Sequence, residues 1–198
     1  MLFRSVVAID GYAGSGKTTV LYFLEKESRD ILAVHLDDFI RHWKERKRMM
    51  DSATDRSHVF EFKWYRYQEV ARLLKEFSTR FCGDVSFKVY DFEQNDFGDV
   101  KVFDLSKTIL VIEGIFLFHP NLQINSFIDR RIYLAEDFRK ADRRRIGRER
   151  KRWGKEYIPE NHPDSYVLPF KIAYQRYIQQ FDPAGQSDVV YHVHASSK

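Results

Sequence analysis

At 198 residues, 43% hydrophobic and 31% charged, the chain has enough apolar material for one core with a wet surface, which excludes a disordered polymer and argues against two independent domains. Its single cysteine, Cys82, cannot close an internal disulfide, so the fold does not depend on an oxidising compartment, and Cys82 reads as a half-buried thiol near a strand. The net charge of +4 hides an uneven placement: ten Lys/Arg and two Asp/Glu fall between Arg139 and Lys155, a local excess of +8 that leaves the rest of the chain at −4, the mark of a local anionic ligand or an exposed arm more than of a general nucleic-acid binder.

The opening run Met1 to Asp10 is too short for a signal peptide and passes directly into a glycine-rich turn. No later apolar run reaches the roughly 20 residues that span a bilayer, so a cytoplasmic protein is expected. Val6 to Asp10 reads as a buried parallel strand, followed by a helix over 17–28 with Val20, Leu21, Phe23 and Leu24 at helical spacing. Ile31 to Leu36 reads as a second strand, and the charged run 41–50 as a short helix or loop. Within 64–77, Val70, Leu73, Leu74 and Phe77 recur at i, i+3, i+4 and i+7, which predicts a helix with one buried side. Val85 to Tyr90 alternates like a strand, and Val100 to Leu105 reads as a short one after a Gly98-Asp99 turn. The most apolar strand, over 108–115, is placed centrally. Strand 131–135, a charged helix over 136–152, a helix over 168–181 and a last strand over 188–193 complete the series. Phe170, Tyr174, Tyr177, Ile178 and Phe181 are expected along one side of the last helix. Strands alternating with helices imply an α/β sandwich on a mainly parallel sheet.

Gly11-Tyr12-Ala13-Gly14-Ser15-Gly16-Lys17-Thr18 fits G-x-x-x-x-G-K-[ST] at every fixed position, with a strand before it and a helix after it. Glycines let successive N–H groups converge on one anion, and the positive end of the following helix adds to that field. Lys17 is expected to reach the β- and γ-phosphates of a nucleotide and the Thr18 hydroxyl to ligate Mg²⁺, with Thr19 beside them. After the second strand, expected beside the phosphate-loop strand, comes Asp37-Asp38-Phe39, where Asp37 can face a bound γ-phosphate and accept a proton, while Asp38 suits an acidic turn or helix cap.

Several further motifs follow in order: Tyr90-Asp91-Phe92, Glu113-Gly114 and Arg144-Arg145-Ile146-Gly147-Arg148-Glu149. Together with the phosphate loop and Asp37-Asp38-Phe39, they resemble the uridine kinase-like group of P-loop kinases, which includes phosphoribulokinase and pantothenate and nicotinamide riboside kinases. The resemblance covers most of the chain. It implies a P-loop three-layer sandwich with a mainly parallel five-stranded sheet and a helical lid near 137–160, all in one domain. It also implies that Asp37 is the catalytic base, that Glu113 joins Thr18 and Asp37 at Mg²⁺, and that Tyr90 and Phe92 pack on a nucleoside base. Glu61, with Asp55 as a rival, would grip ribose hydroxyls, and Phe39 would contact substrate. Arg145, Arg148 and Arg152 fall at i, i+3 and i+7 with Arg144 beside them, a stripe that repels itself unless an anion such as polyphosphate lies against it. Arg144 and Arg148 are assigned to ATP, Arg145 to substrate, and Arg145 and Arg148 with Lys17 to charge in the transition state.

The chain departs from that pattern on the acceptor side. Asn95 and Phe97 stand where pyrimidine nucleoside kinases carry a histidine and an arginine, Ile40 replaces an aromatic, and Trp153-Gly154 replaces R-G. His192 and His194 lack partners at zinc spacing, and His119-Pro120 reads as a turn. The expected activity is transfer of the ATP γ-phosphate to a small-molecule hydroxyl, foremost the 5′-hydroxyl of a nucleoside. The alternatives are another acceptor (pantothenate, nicotinamide riboside or a sugar phosphate), a P-loop ATPase acting on nucleic acid through the basic block, and a binding protein without catalysis. Neither a membrane nor nucleic acid is an expected partner, and a homo-oligomer is compatible with the sequence.

Overall fold

The computed structural model describes residues 4–193. In chain order the strands are β1 (Ser5–Gly11), β2 (Ile31–His35), β3 (Asp84–Asp91), β4 (Asp96–Asp104), β5 (Ile109–Glu113), β6 (Arg130–Ala135) and β7 (Val189–His192). The helices are α1 (Lys17–Glu27), α2 (Trp43–Ser52), α3 (Arg56–Phe62), α4 (Tyr67–Thr79), α5 (Phe138–Trp153) and α6 (Val167–Phe181). Five strands form one parallel sheet in the order β2-β5-β1-β6-β7, and β3 and β4 pair as a separate antiparallel hairpin.

Because successive side chains of a strand point to opposite faces, the sheet feeds two cores. Val6 and Ala8 of β1, with Leu110 and Ile112 of β5, join the larger cluster under α4, α6 and the hairpin. Ile9 and Val111 face the other way and pack with Leu21 of α1. Covered on both sides, the strands read as nearly continuous apolar runs. On α4, Val70, Leu73, Leu74 and Phe77 are all fully buried, each side chain contributing roughly 1.5–3 kcal/mol of transfer free energy.

Several expectations shift. β5 is an inner strand, but the middle of the sheet is β1, and β5 lies between it and β2, so Asp37 does not follow the strand next to the phosphate loop. α4 starts at Tyr67, because residues 64–66 are used as extended chain: Ile40 and Tyr65 bridge, and the Arg66 N–H donates to the Phe39 carbonyl. The hairpin turns before Asp96, with Asn95 at φ 52°, so Gly98-Asp99 lies inside β4. Helix α3 has no counterpart in the sequence reading. On α1, Phe23 is 58% exposed, and on α6, Ile178 has turned outward. Cys82 is exposed. The side chain of His119 is buried among Phe62, Tyr177 and Phe181, which pushes its pKa down to about 4. His194 lies outside the described residues. Among the described residues no helix is long and apolar enough to cross a membrane.

Candidate active site

Strand β1 ends at Gly11 and helix α1 begins at Lys17, so the loop 12–16 wraps the open amino end of a helix whose cap residue, Gly16, offers no side chain to its N–H groups. The Ser15 hydroxyl is buried without a hydrogen-bond partner, and a Cβ on Gly16 would meet nothing within 4 Å. Unsatisfied donors around open space fit a bound phosphate. Lys17 is 7% exposed and donates to the carbonyls of Gly11 (2.8 Å) and Tyr12 (2.9 Å). Burial lowers its ammonium pKa, against the pull of Glu113, Asp10 and Asp37.

The loop is braced from two sides. Tyr12 donates to Asp142 of α5 (3.0 Å) and packs on Phe138 and Tyr174. Gly14 lies so close to α5 that an added Cβ would sit 2.3 Å from the Ala141 carbonyl oxygen, and its φ is +90°. Below the loop, Asp10 is fully buried, accepts from Gly11 N–H (2.6 Å) and the Tyr177 hydroxyl (2.5 Å), and is raised by burial to about 6.

Two carboxylates close the opposite side. Thr18 Oγ1 donates to Glu113 Oε1 (2.9 Å), and His35 Nδ1 lies 2.9 Å from the same oxygen. Burial alone would raise the Glu113 carboxyl, but His35, Lys17 and Thr18 together hold it below the usual glutamate value, while His35 is raised by the same bond. Asp37 is the second residue of a tight turn after β2, with its surface open to solvent. Its pKa is raised, first by desolvation from the groups crowded around it and then by the Glu113 charge, with Arg148 and Lys17 opposing. The Tyr65 hydroxyl donates to Asp37 Oδ1 (3.2 Å). The turn is seated by Gly114, where a Cβ would fall 2.6 Å from that of Leu36. Thr18, Asp37 and Glu113 offer hard oxygens on one side of the cradle, which fits Mg²⁺. That ion needs few protein ligands, because it keeps waters and phosphate oxygens. Among the described residues no three His, Cys, Asp or Glu side chains gather as a metal cage.

Helix α5 roofs this cleft. Arg144 reaches the Gly14 carbonyl (3.3 Å) and pairs with Glu136 (2.7 Å), the charge of Arg148 acts on both Lys17 and Asp37, and the Arg152 guanidinium lies 4.4 Å from the centroid of the Phe92 ring. The exposed stripe is therefore 144-148-152. Arg145 faces inward instead, 4% exposed and held by Asp142 (2.8 Å) and both oxygens of Glu149 (3.0 Å). Trp153 ends the helix, and Gly154, at φ 51°, caps it.

On the acceptor side the expected residues divide. Phe39 is fully buried against Phe87 and Phe103, a core residue with no face for a substrate. Asp38 pairs with Lys101 of β4 (2.8 Å) and so ties the turn to the hairpin. Glu61 is 1% exposed and pairs with Arg176 of α6 (3.3 Å), which also holds Asp55 (2.9 Å), the cap of α3. Tyr90 and Phe92 stand edge to face at 5.2 Å, and Phe97 pairs with Tyr90 across the hairpin. The sequence reading missed His35, Tyr65 and Arg46. His35 ends the strand before Asp37, a signal within reach, whereas Tyr65 is brought to Asp37 by a bridge that no periodicity announces.

A parallel sheet with a helix-braced cradle at β1 and two carboxylates across from it defines a P-loop protein that handles a nucleotide's phosphates. The sequence matches the model of the phosphoribulokinase / uridine kinase family over residues 6–195, and the chain belongs to that family, a family of kinases. Solved structures agree on the fold. A protein described as a possible uridine kinase from Bacillus stearothermophilus aligns with TM-score 0.68 at 19% identity, covering 96% of this chain and 90% of its own. Phosphoribulokinase from Rhodobacter spheroides gives 0.65 at 16%, covering 100% and 74%. D-glycerate 3-kinase from Cryptococcus neoformans gives 0.60 at 13%, covering 88% and 79%. No curated protein matches the sequence.

Proposed function

We propose that the chain is an ATP-dependent kinase that moves the γ-phosphate onto the hydroxyl of a small molecule. The observation that carries this is the position of Asp37, a solvent-exposed carboxylate on which Lys17 and Arg148 act from the cradle and the lid. The Gly11–Thr18 loop binds the triphosphate through backbone N–H groups and Lys17, and Arg144 covers it. Thr18, Asp37 and Glu113 would hold Mg²⁺, which when bound neutralises phosphate charge and aligns the oxygens. His35 orients Glu113 for that task. Asp37 accepts the hydroxyl proton at an Oδ as the acceptor oxygen bonds to phosphorus and ADP leaves. Its raised pKa brings it closer to the working pH, where a general base is most effective. Tyr65 fixes its rotamer. Arg148 stabilises the equatorial charge, and the segment near 137–160 closes as a lid that excludes water. Arg145 serves by bracing α5 to Tyr12 through Asp142.

For the acceptor, the family resemblance supports a nucleoside 5′-hydroxyl, with half-buried Phe92 as the ring contact, because Tyr90 is buried in the core. A second reading, an acceptor with its own anionic group, is favoured by Arg46, which lies against the ring of Tyr90. The kinase reading is tested with protein, ATP, Mg²⁺ and a panel of nucleosides, sugar phosphates and hydroxy acids, with phosphorylated products read by mass. Asp37→Asn is expected to lower transfer by roughly 10²–10⁴-fold with ATP affinity nearly kept. Unchanged transfer by that variant would refute Asp37 as the base.

A further inference from the structure

The acceptor end of the cleft carries more positive charge than phosphoryl transfer requires. Arg46, on α2, lies against two aromatic rings, its guanidinium carbon 4.8 Å from the Trp64 centroid and 5.0 Å from that of Tyr90. Its Nε donates to the Arg41 carbonyl (2.9 Å) and one Nη to the Tyr90 hydroxyl (2.9 Å). Phe92 continues the aromatic surface beyond Tyr90, and Arg152 of the lid stacks on it. The ring of Tyr90, which would otherwise meet a nucleobase, is thus already covered by a cation of the chain's own.

Two arginines that brace the architecture near the site have carboxylate partners, Arg176 with Asp55 and Glu61 and Arg145 with Asp142 and Glu149, whereas Arg4 and Arg56 are held by backbone carbonyls. Among the described residues Arg46, Arg148 and Arg152 form no ion pair at all. A half-buried guanidinium pressed on ring faces sheds water while keeping its charge, so it gains more from a bound anion than a solvated lysine would. The spacing is also informative. Arg144, Arg148 and Arg152 are four residues apart, about 6 Å per step along α5. They mark in turn the phosphate loop, Asp37 and the Phe92 end.

We propose that the acceptor is a compact molecule carrying a carboxylate or a phosphate ester about one such step from the hydroxyl that is phosphorylated, and that Arg46 and Arg152 grip this anion. The inference rests on the kinase reading above and names the substrate class of the same site. Arg46 sets specificity by binding the end of the acceptor that does not react, as a planar fork matched to carboxylate or phosphate oxygens.

Matched acceptor pairs test it: glycerol against glycerate, and ribose against ribose 5-phosphate, with uridine alongside, each with ATP and Mg²⁺. At least one charged member should exceed its neutral partner and uridine by tenfold or more in kcat/KM, and the two pairs separate a carboxylate from a phosphate ester. Arg46→Gln should raise KM for the charged acceptor at least tenfold with a smaller change in kcat. Arg46→Lys should recover part of that loss, because it keeps the charge and loses the fork. Arg152→Gln, on an exposed stretch of the lid, repeats the test without risk to the core. Lys44→Gln, on the same helix but outside the slot, should leave KM unchanged. Neutral alcohols or uridine accepted as well as the charged members would overturn the inference while leaving the kinase intact, as would an unchanged KM in Arg46→Gln. Transfer to no acceptor of either kind would contradict the kinase reading itself.

Discussion

Asp10 lies beneath the phosphate loop with no exposure to water, and burial raises it from 3.8 to about 6 despite its bonds to Tyr177, Gly11 and Phe118. The folded state therefore holds the Asp10 proton more tightly than the unfolded chain does. Its contribution to stability is full below pH 3.8, declines as pH rises through 6 and is gone above that. About two pK units correspond to ~3 kcal/mol. Urea unfolding of Asp10→Asn, which keeps an acceptor and cannot ionise, should gain on the wild type by about this amount between pH 4 and pH 7.5. Parallel stability curves would mean that the carboxylate is not desolvated as described. At this scale the sequence disclosed the residues whose role is local. Lys17 and Thr18 open a helix, Asp37 follows a strand and Glu113 ends one; the phosphate loop could be read from its own motif, and the family resemblance supplied the grouping of Glu113 and Asp37 with it. Tyr65, Arg46 and the inward turn of Arg145 depend on which side chains meet across elements, and that is a matter of packing.

Among the elements, α5 determines the most. Eleven of its sixteen residues are charged, so it is held less by a core than by specific contacts: Tyr12 with Asp142, Arg144 with Gly14, Arg152 on Phe92. The approach to the loop is the tightest of these. Gly14→Ala should force the loop and α5 apart, because its Cβ meets a backbone carbonyl that cannot rotate away and its φ lies in the left-handed region, costing roughly 1–2 kcal/mol. ATP affinity measured by calorimetry should fall about tenfold for a loss of ~1.4 kcal/mol. Gly147→Ala, on the same helix with open space around it, should instead stabilise α5 by about 0.5–1 kcal/mol. Equal effects from the two would show that α5 does not rest on the loop. The helix and its charge could be read from the sequence, but not which arginines face the cleft. The stripe at 145, 148 and 152 and the one at 144, 148 and 152 both satisfy helical spacing, and the choice was made by Asp142 and Glu149, which pull Arg145 inward. Helix α3 escaped notice because seven residues give a periodic pattern too little length.

For the whole molecule, the sheet order explains why the site exists. β1 in the middle delivers the cradle, β5 beside it ends at Glu113, and β2 beyond that releases Asp37, so three strand ends open on one cleft. Alternation of strands and helices foretold the parallel sheet. Both strands of the β3–β4 hairpin could be read locally, but its separation from the main sheet and the exact neighbours of each parallel strand are set by long-range pairing that local patterns do not encode. The hairpin is tied by Lys101 to Asp38, next to Asp37, and its Phe92 meets Arg152 of α5, so it stands on the acceptor side of the same strand ends. The most direct measurement is a crystal structure with Mg²⁺ and a non-hydrolysable ATP analogue. The account requires the terminal phosphate between Lys17 and Asp37, Thr18 and Glu113 on the metal side, and an open path from Asp37 to Phe92. A triphosphate bound elsewhere, or an Asp37 side chain turned from it with no space between them for an alcohol, would contradict the account.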